Sequence, residues 1–148
     1  MPAPHPDIFI RFMSSLQLKE IRPVSLHADC LEDPATAKGE ALQIRVDYAF
    51  ADDDPFPLPD GIRLFRPKFV ALIQKGKTDV FRQESIFFVA VAVTDEPVFA
   101  ELWADATVRE HFMKLQLRKT LWPLFRQHVH DGMSRVGLPA VTLPWVTG

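Results

Sequence analysis

Any chemistry in this chain would have to come from a few side chains: His128 with His130, Cys30 with His27, and the run Asp52, Asp53, Asp54. His128-Val129-His130 is the only closely spaced histidine pair. Two residues apart on a helix, the rings point about 200° away from each other and cannot share a metal as an i, i+4 pair does. The further ligands a metal needs are missing, so no metal is expected and both rings read as solvated. The three aspartates lack the spacing and the closing bidentate glutamate of a calcium loop, and read as a solvated loop. Cys30 becomes a nucleophile only beside a base. His27, three residues away in an alternating strand, falls on the opposite face, so Cys30 reads as an inert, buried thiol. There is no GxSxG, P-loop or GxGxxG, and Lys75-Gly76-Lys77 is a turn rather than a phosphate cradle. No catalytic constellation assembles and no cofactor is implied. The chain reads as a non-enzyme.

Binding remains. Twelve phenylalanines and three tryptophans stand against one tyrosine, so the aromatic content is strongly apolar. It fills a core or lines an apolar binding surface. A formal net charge of −2 gives no basic field for nucleic acid. With 47% hydrophobic residues in 148, wholesale disorder is excluded and one domain over residues 1–148 is expected. The single cysteine rules out an intrachain disulfide and fits a reducing compartment, so a cytoplasmic location is expected. No apolar run approaches the roughly 18–20 residues that span a bilayer. The N-terminus lacks the charged start of a signal peptide, and Arg11 breaks its short apolar run. Residues 1–13, with three prolines in the first six, read as a flexible lead. Even so, Ile8, Phe9, Ile10, Phe12 and Met13 are apolar enough to dock somewhere.

The elements that must position these residues are a sheet over 14–94, a helical part over 97–137 and an extended tail over 138–148. Four strands are expected. Leu16–Cys30 is interrupted by Pro23, which marks an edge strand or a bulge. Leu42, Ile44, Val46, Tyr48 and Phe50 alternate with polar or small residues in the cleanest strand. Ile62–Gln74 carries Pro67 as a bulge or edge position, and a short hairpin turn over 75–79 joins it to Val80–Thr94. IFFVAVAV in that last strand is apolar on both faces and should be central or covered twice. Residues 31–40 and 51–61 read as loops. Strands followed by helices indicate α+β. Asp105 or Thr107 caps a helix, and Pro123 should kink it or divide it. Leu117, Leu121, Phe125, Val129, Gly132, Met133 and Val136 then fall on one helical face. Gly137 supplies the stop and Pro139 prevents continuation.

Three segments carry a resemblance: Leu121-Trp-Pro-Leu-Phe-Arg, Met133-Ser-Arg-Val-Gly137, and Leu138-Pro-Ala-Val-Thr-Leu-Pro-Trp145. Together they resemble the C-terminal part of SecB, the bacterial export chaperone. The upstream order of a long first strand, a crossover loop, three more antiparallel strands and then helix agrees. The resemblance implies a SecB-like α+β fold, with a four-stranded antiparallel sheet followed by a long C-terminal helix. It implies an ATP-independent holdase that binds unfolded or non-native polypeptide, as a homo-oligomer of the dimer-of-dimers kind. It implies no nucleic acid and no membrane insertion. Candidate polypeptide contacts are Phe56, Leu58, Phe99, Trp103 and Trp145, though for any single one of them core or subunit-interface packing is the favoured reading. Candidate oligomer contacts are Leu16, Leu18, Leu121, Phe125, Val129 and Met133. The chain departs from the family in two places. It stops at Gly148, before the second helix and the SecA-binding tail. The groove should then be more open, or capped by the apolar N-terminal stretch. Pro23 and His27 stand where the family has acidic SecA-docking residues, with Glu84 at a third such position, so handover to SecA is not expected to follow the family. Two alternatives stay open: a dedicated chaperone or interaction module for one partner, such as an antitoxin, and a small-molecule or enzymatic domain with a pocket between sheet and helix.

Overall fold

A computed structural model describes residues 2–37, 41–139 and 143–144. Its centre is β6 (Thr78–Val93), a 16-residue strand whose odd-numbered side chains are buried under a helical layer from Phe81 to Val93. Along one side β6 pairs antiparallel with the whole of β1 (Leu16–Cys30). On its other side lie β4 (Ile62–Phe65) and β5 (Pro67–Lys75), followed outward by β3 (Phe56–Pro57) beside β4 and β2 (Leu42–Phe50) beside β5.

Among the described residues the sheet therefore has six strands and not four. The expected third strand is two, because Pro67 has no N–H to give and the ladder breaks at Arg66. Phe65 opposite Val89 and Lys68 opposite Ile86 keep one register, so β4 and β5 form a single row and Pro67 makes no bulge against β6. The added strand, β3, lies inside the expected 51–61 loop, where Phe56 and Pro57 pair with Leu64 and Arg63. Pro23 behaves as expected of an edge: among the described residues β1 pairs only with β6, and the register slips between Pro23 and Ser25. The β5–β6 hairpin closes through Gly76-Lys77, with Gly76 at φ +60° as the first central residue of a II′-type turn requires.

β6 is central, with β1 on one side and β4 and β5 on the other, which meets the expectation for its apolar run; among the described residues no second layer lies on its other face. Ile86, Phe88, Ala90 and Ala92 are half-buried there, while their odd-numbered neighbours are fully buried. The helical layer consists of α2 (Glu96–Trp103), α3 (Ala106–His111), a π-helical turn over Phe112–Leu117, and α4 (Arg118–Arg135). Asp95 and Asp105 cap α2 and α3 by accepting from the N–H groups of Val98 and Thr107. α4 runs unbroken through Pro123, so the proline divides nothing, and the irregularity lies upstream in the π turn. Leu121, Phe125, Val129 and Met133 are fully buried in α4, with Phe125 stacked on Phe69 at 4.7 Å. α4 closes in a Schellman motif. The Leu138 N–H donates to the Met133 carbonyl and the Gly137 N–H to the Ser134 carbonyl, around Gly137 at φ +77°.

Two further expectations are corrected. The lead over 1–13 is not a flexible strand of chain: Pro6–Ser14 forms α1, with the His5 ring accepting from the Asp7 N–H. Pro6 suits a first helical position, and the apolar residues that follow give the helix one face to bury. Phe12 is fully buried among Phe99, Trp103 and Phe112, with ring centroids 5.4–5.9 Å apart. Cys30 is not buried either. It is exposed at the end of β1, where its thiol donates to the Glu32 carbonyl.

Candidate functional site

The side-chain periodicity of β2 places Val46, Tyr48 and Phe50 on the face that carries the helices. α4 covers the centre of the sheet, so these three lie beyond its cover and stay half-buried. Between them and the helical layer runs a groove of ≈ 740 Å³, bounded by Met113, Arg109, Glu110, Lys114 and Arg118 and by the Asp52, Asp53, Asp54 loop. Its floor is apolar and aromatic, and its rim is charged.

Tyr48 pins the two walls together. Its hydroxyl donates to the Met113 carbonyl at 2.8 Å, and its ring packs on Phe69 at 4.6 Å and on Phe50 at 5.2 Å. Burial pushes the phenol far above its ordinary range, against the opposing pull of the Arg118 guanidinium, so it remains a neutral donor. Arg118 stands 5.9 Å over the Tyr48 ring in a cation–π arrangement. At the loop end Asp54 accepts from the Trp103 indole at 2.9 Å, and Asp52 is held by Arg66. Arg109 donates to the Trp103 carbonyl, and Lys114 lies 3.7 Å from Glu110.

The expected contact residues separate. Phe56 and Leu58 are exposed, at 58% and 37%, on the β3 segment. Phe99 is buried at 6% and Trp103 is half-buried, so these two belong to the aromatic cluster around Phe12 and do not line the groove. Trp145 lies outside the described residues. Of the expected oligomer contacts, Leu121, Phe125, Val129 and Met133 are filled by the chain's own sheet and are corrected to intrachain core. Leu16 is half-buried against that core, and Leu18 is exposed at 52% on the β1 edge. No residue of α1 lines the groove, so the N-terminal stretch does not cap it.

The histidines also part as their spacing requires, but His128 is not simply solvated. It stacks on Phe87 at 5.4 Å and lies 3.0 Å from the Ser85 hydroxyl, while His130 is exposed. Burial holds the His128 ring below its ordinary value, and nearby Asp131 opposes the shift. His27 and Cys30 oppose Glu84 and Phe81, on opposite faces of the sheet. Glu84 lies between Arg82 and Lys68, and the hydrogen bond from Arg82 holds its carboxyl below the usual range. Among the described residues no three His, Cys, Asp or Glu converge as metal ligands, and no helix is long and apolar enough to cross a membrane.

Sequence reasoning passed over Tyr48, Met113 and Arg118 as site residues. The usable signal was the single tyrosine of the chain on the dry face of its cleanest strand.

A long edge strand, a sheet centred on one hairpin and a C-terminal helical layer across a single face make this a SecB-like fold. The chain is similar to the Mycobacterium tuberculosis Rv1957 SecB-like chaperone, whose structure is in complex with a ChAD peptide from the Rv1956 HigA1 antitoxin. The alignment has a TM-score of 0.72 and 21% identity, and covers 96% of this chain and 98% of that one. A protein of unknown function from Streptococcus agalactiae aligns more loosely, with a TM-score of 0.41 and 13% identity over 87% of this chain and 96% of that one. No family model and no curated protein matches the sequence.

Proposed function

We propose that this protein is an ATP-independent holdase that binds unfolded or non-native polypeptide in the groove beside β2. The observation that carries the reading is the groove itself, an apolar and aromatic floor with a charged rim on a SecB-like fold. Such a surface favours extended chain, which offers apolar side chains and backbone together, over a compact folded partner. Binding a client's unfolded state and not its native one delays that client's folding by mass action. The same reading makes the groove a binding surface and not a catalytic centre, and requires no cofactor. It places the protein in the cytoplasm, with a role in export that does not depend on SecA.

The holdase assembles as a homo-oligomer, a dimer of dimers. β1 supports this, because among the described residues it has a partner strand on one side only, and it exposes Leu18 and Leu26. A second reading is service to a single partner such as an antitoxin. It is favoured by the peptide bound to the Mycobacterium tuberculosis protein of the same fold.

Aggregation assays separate the two. Stoichiometric suppression of aggregation by several unrelated denatured proteins supports the general holdase, and protection of one partner alone supports the dedicated one. Failure to protect any, with Val46→Asp and Phe50→Asp behaving as wild type, would remove the groove from the function.

A further inference from the structure

We propose that Arg118 makes the groove selective, by anchoring a carboxylate carried on the bound polypeptide; this rests on the groove's being the polypeptide site. Among the described residues most other charged groups of the rim are engaged, Asp53 excepted. Lys114 faces Glu110, Arg109 holds the Trp103 carbonyl, Asp52 is paired with Arg66, Asp54 takes the Trp103 indole, and Asp47 lies 3.5 Å from Arg45. Among the described residues Arg118 has no carboxylate partner. Its Nε is shut off from solvent and has no hydrogen-bond acceptor.

With Nε inaccessible, the contact falls to the terminal nitrogens of the guanidinium, and a cation without a counter-ion favours an occupant that brings them an acceptor. The planar guanidinium fork matches a carboxylate better than any other group a polypeptide carries. The Tyr48 ring beneath the guanidinium steadies it, and the Tyr48 hydroxyl is committed to Met113, so it does not compete for the ligand. The π-helical turn ends at Leu117, the residue before Arg118. Such turns re-aim the side chains that follow them and recur at functional sites.

The groove also has a charge polarity. Arg109 sits near the Asp54 end through Trp103, and the π turn over Phe112–Leu117 lies between it and Arg118. Carboxylates of the Asp52, Asp53, Asp54 loop disfavour a client's acidic group at that end. The preferred client segment is thus extended and apolar or aromatic, with an acidic residue seated at the Arg118 end.

The test uses the full chain and three labelled synthetic peptides of one apolar, Phe-containing sequence, with Asp, Asn or Lys at one central position. Affinities are read by fluorescence anisotropy. Wild type should bind the Asp peptide about tenfold tighter than the Asn peptide, and the Lys peptide most weakly. In Arg118→Met the Asp-to-Asn ratio should fall to about one, and Arg118→Glu should invert the order of Asp and Lys. Equal binding of the Asp and Asn peptides by wild type, or an unchanged ratio in Arg118→Met, overturns the role of Arg118 and leaves the groove reading standing. If wild type binds none of the three, the groove reading falls and the anchor with it. If a variant does not fold, the wild-type series with its loss of preference in raised salt decides alone.

Discussion

At Tyr48 one side chain closes the wall between sheet and helices and sets the floor of the groove. Tyr48→Phe should cost about 1 kcal/mol in urea denaturation, because it leaves the Met113 carbonyl without that donor while keeping the ring. His128 gives the chain a pH dependence of known sign. Its folded value is depressed by burial, so its contribution is fully present above an unfolded value of about 6.5 and is lost as pH falls through the lower folded value. His128→Gln should remove that part of the stability loss on the acid side, seen as a flatter melting-temperature profile from neutral pH downward. Neither residue's role was legible beforehand, for a physical reason. Alternation shows that Tyr48 points to the dry face, but its partner Met113 lies 65 residues away. The His128 spacing excludes a shared metal, while the Ser85 and Phe87 contacts exist only after the sheet has formed.

Helix α4 rests on the sheet closely enough for one position to have no room for a side chain. A Cβ on Gly132 would fall 2.5 Å from the Gln83 Oε1 and 3.0 Å from the Phe81 ring. Gly132→Val should therefore destabilise by about 1–3 kcal/mol through overpacking, measured as a lower urea midpoint. Gly137→Ala meets no neighbour, yet its φ of +77° should cost about 1–2 kcal/mol through the left-handed backbone alone. The elements that could be read in advance carry strong local signals. Alternation defines β2, the Gly76 turn defines the hairpin, Asp105 starts α3, and Gly137 with Pro139 ends α4. What could not be read depends on partners. Three early prolines suggested a flexible lead, but the Pro6 start and the aromatic seat of Phe12 make it α1. The α4 stripe was legible as apolar. That it needs a sheet, and that the upstream strands supply one, was legible too. That Leu121, Phe125, Val129 and Met133 are wholly taken up by that sheet, with nothing left for a neighbouring subunit, was not, since periodicity gives a buried face without saying how completely it is filled.

For the molecule as a whole the open question of assembly lies at β1. Among the described residues nothing pairs with its outer backbone edge, and Leu18 at 52% and Leu26 at 55% exposure complete a pattern that favours strand addition. If the oligomer forms there, Leu18→Asp with Leu26→Asp should lower the mass found by light scattering while leaving the circular dichroism of the subunit unchanged. The fold class was legible because strands precede helices in order, and the site was not, because it forms where the outermost strand runs past the edge of the helical layer. The position of β1 beside β6 has a further consequence, for the growing chain. β1 is the first strand to leave the ribosome and β6 the last, with Leu16 opposite Val93 and Cys30 opposite Phe81. At roughly 5–20 residues per second, β1 waits several seconds for the strand that holds it. The β5–β6 hairpin is local and closes without help. Pulse-labelled hydrogen exchange during refolding should find its amides protected before those of β1. A chaperone of this fold would then pass through its own synthesis with a long strand unpaired, briefly resembling the clients it is proposed to hold.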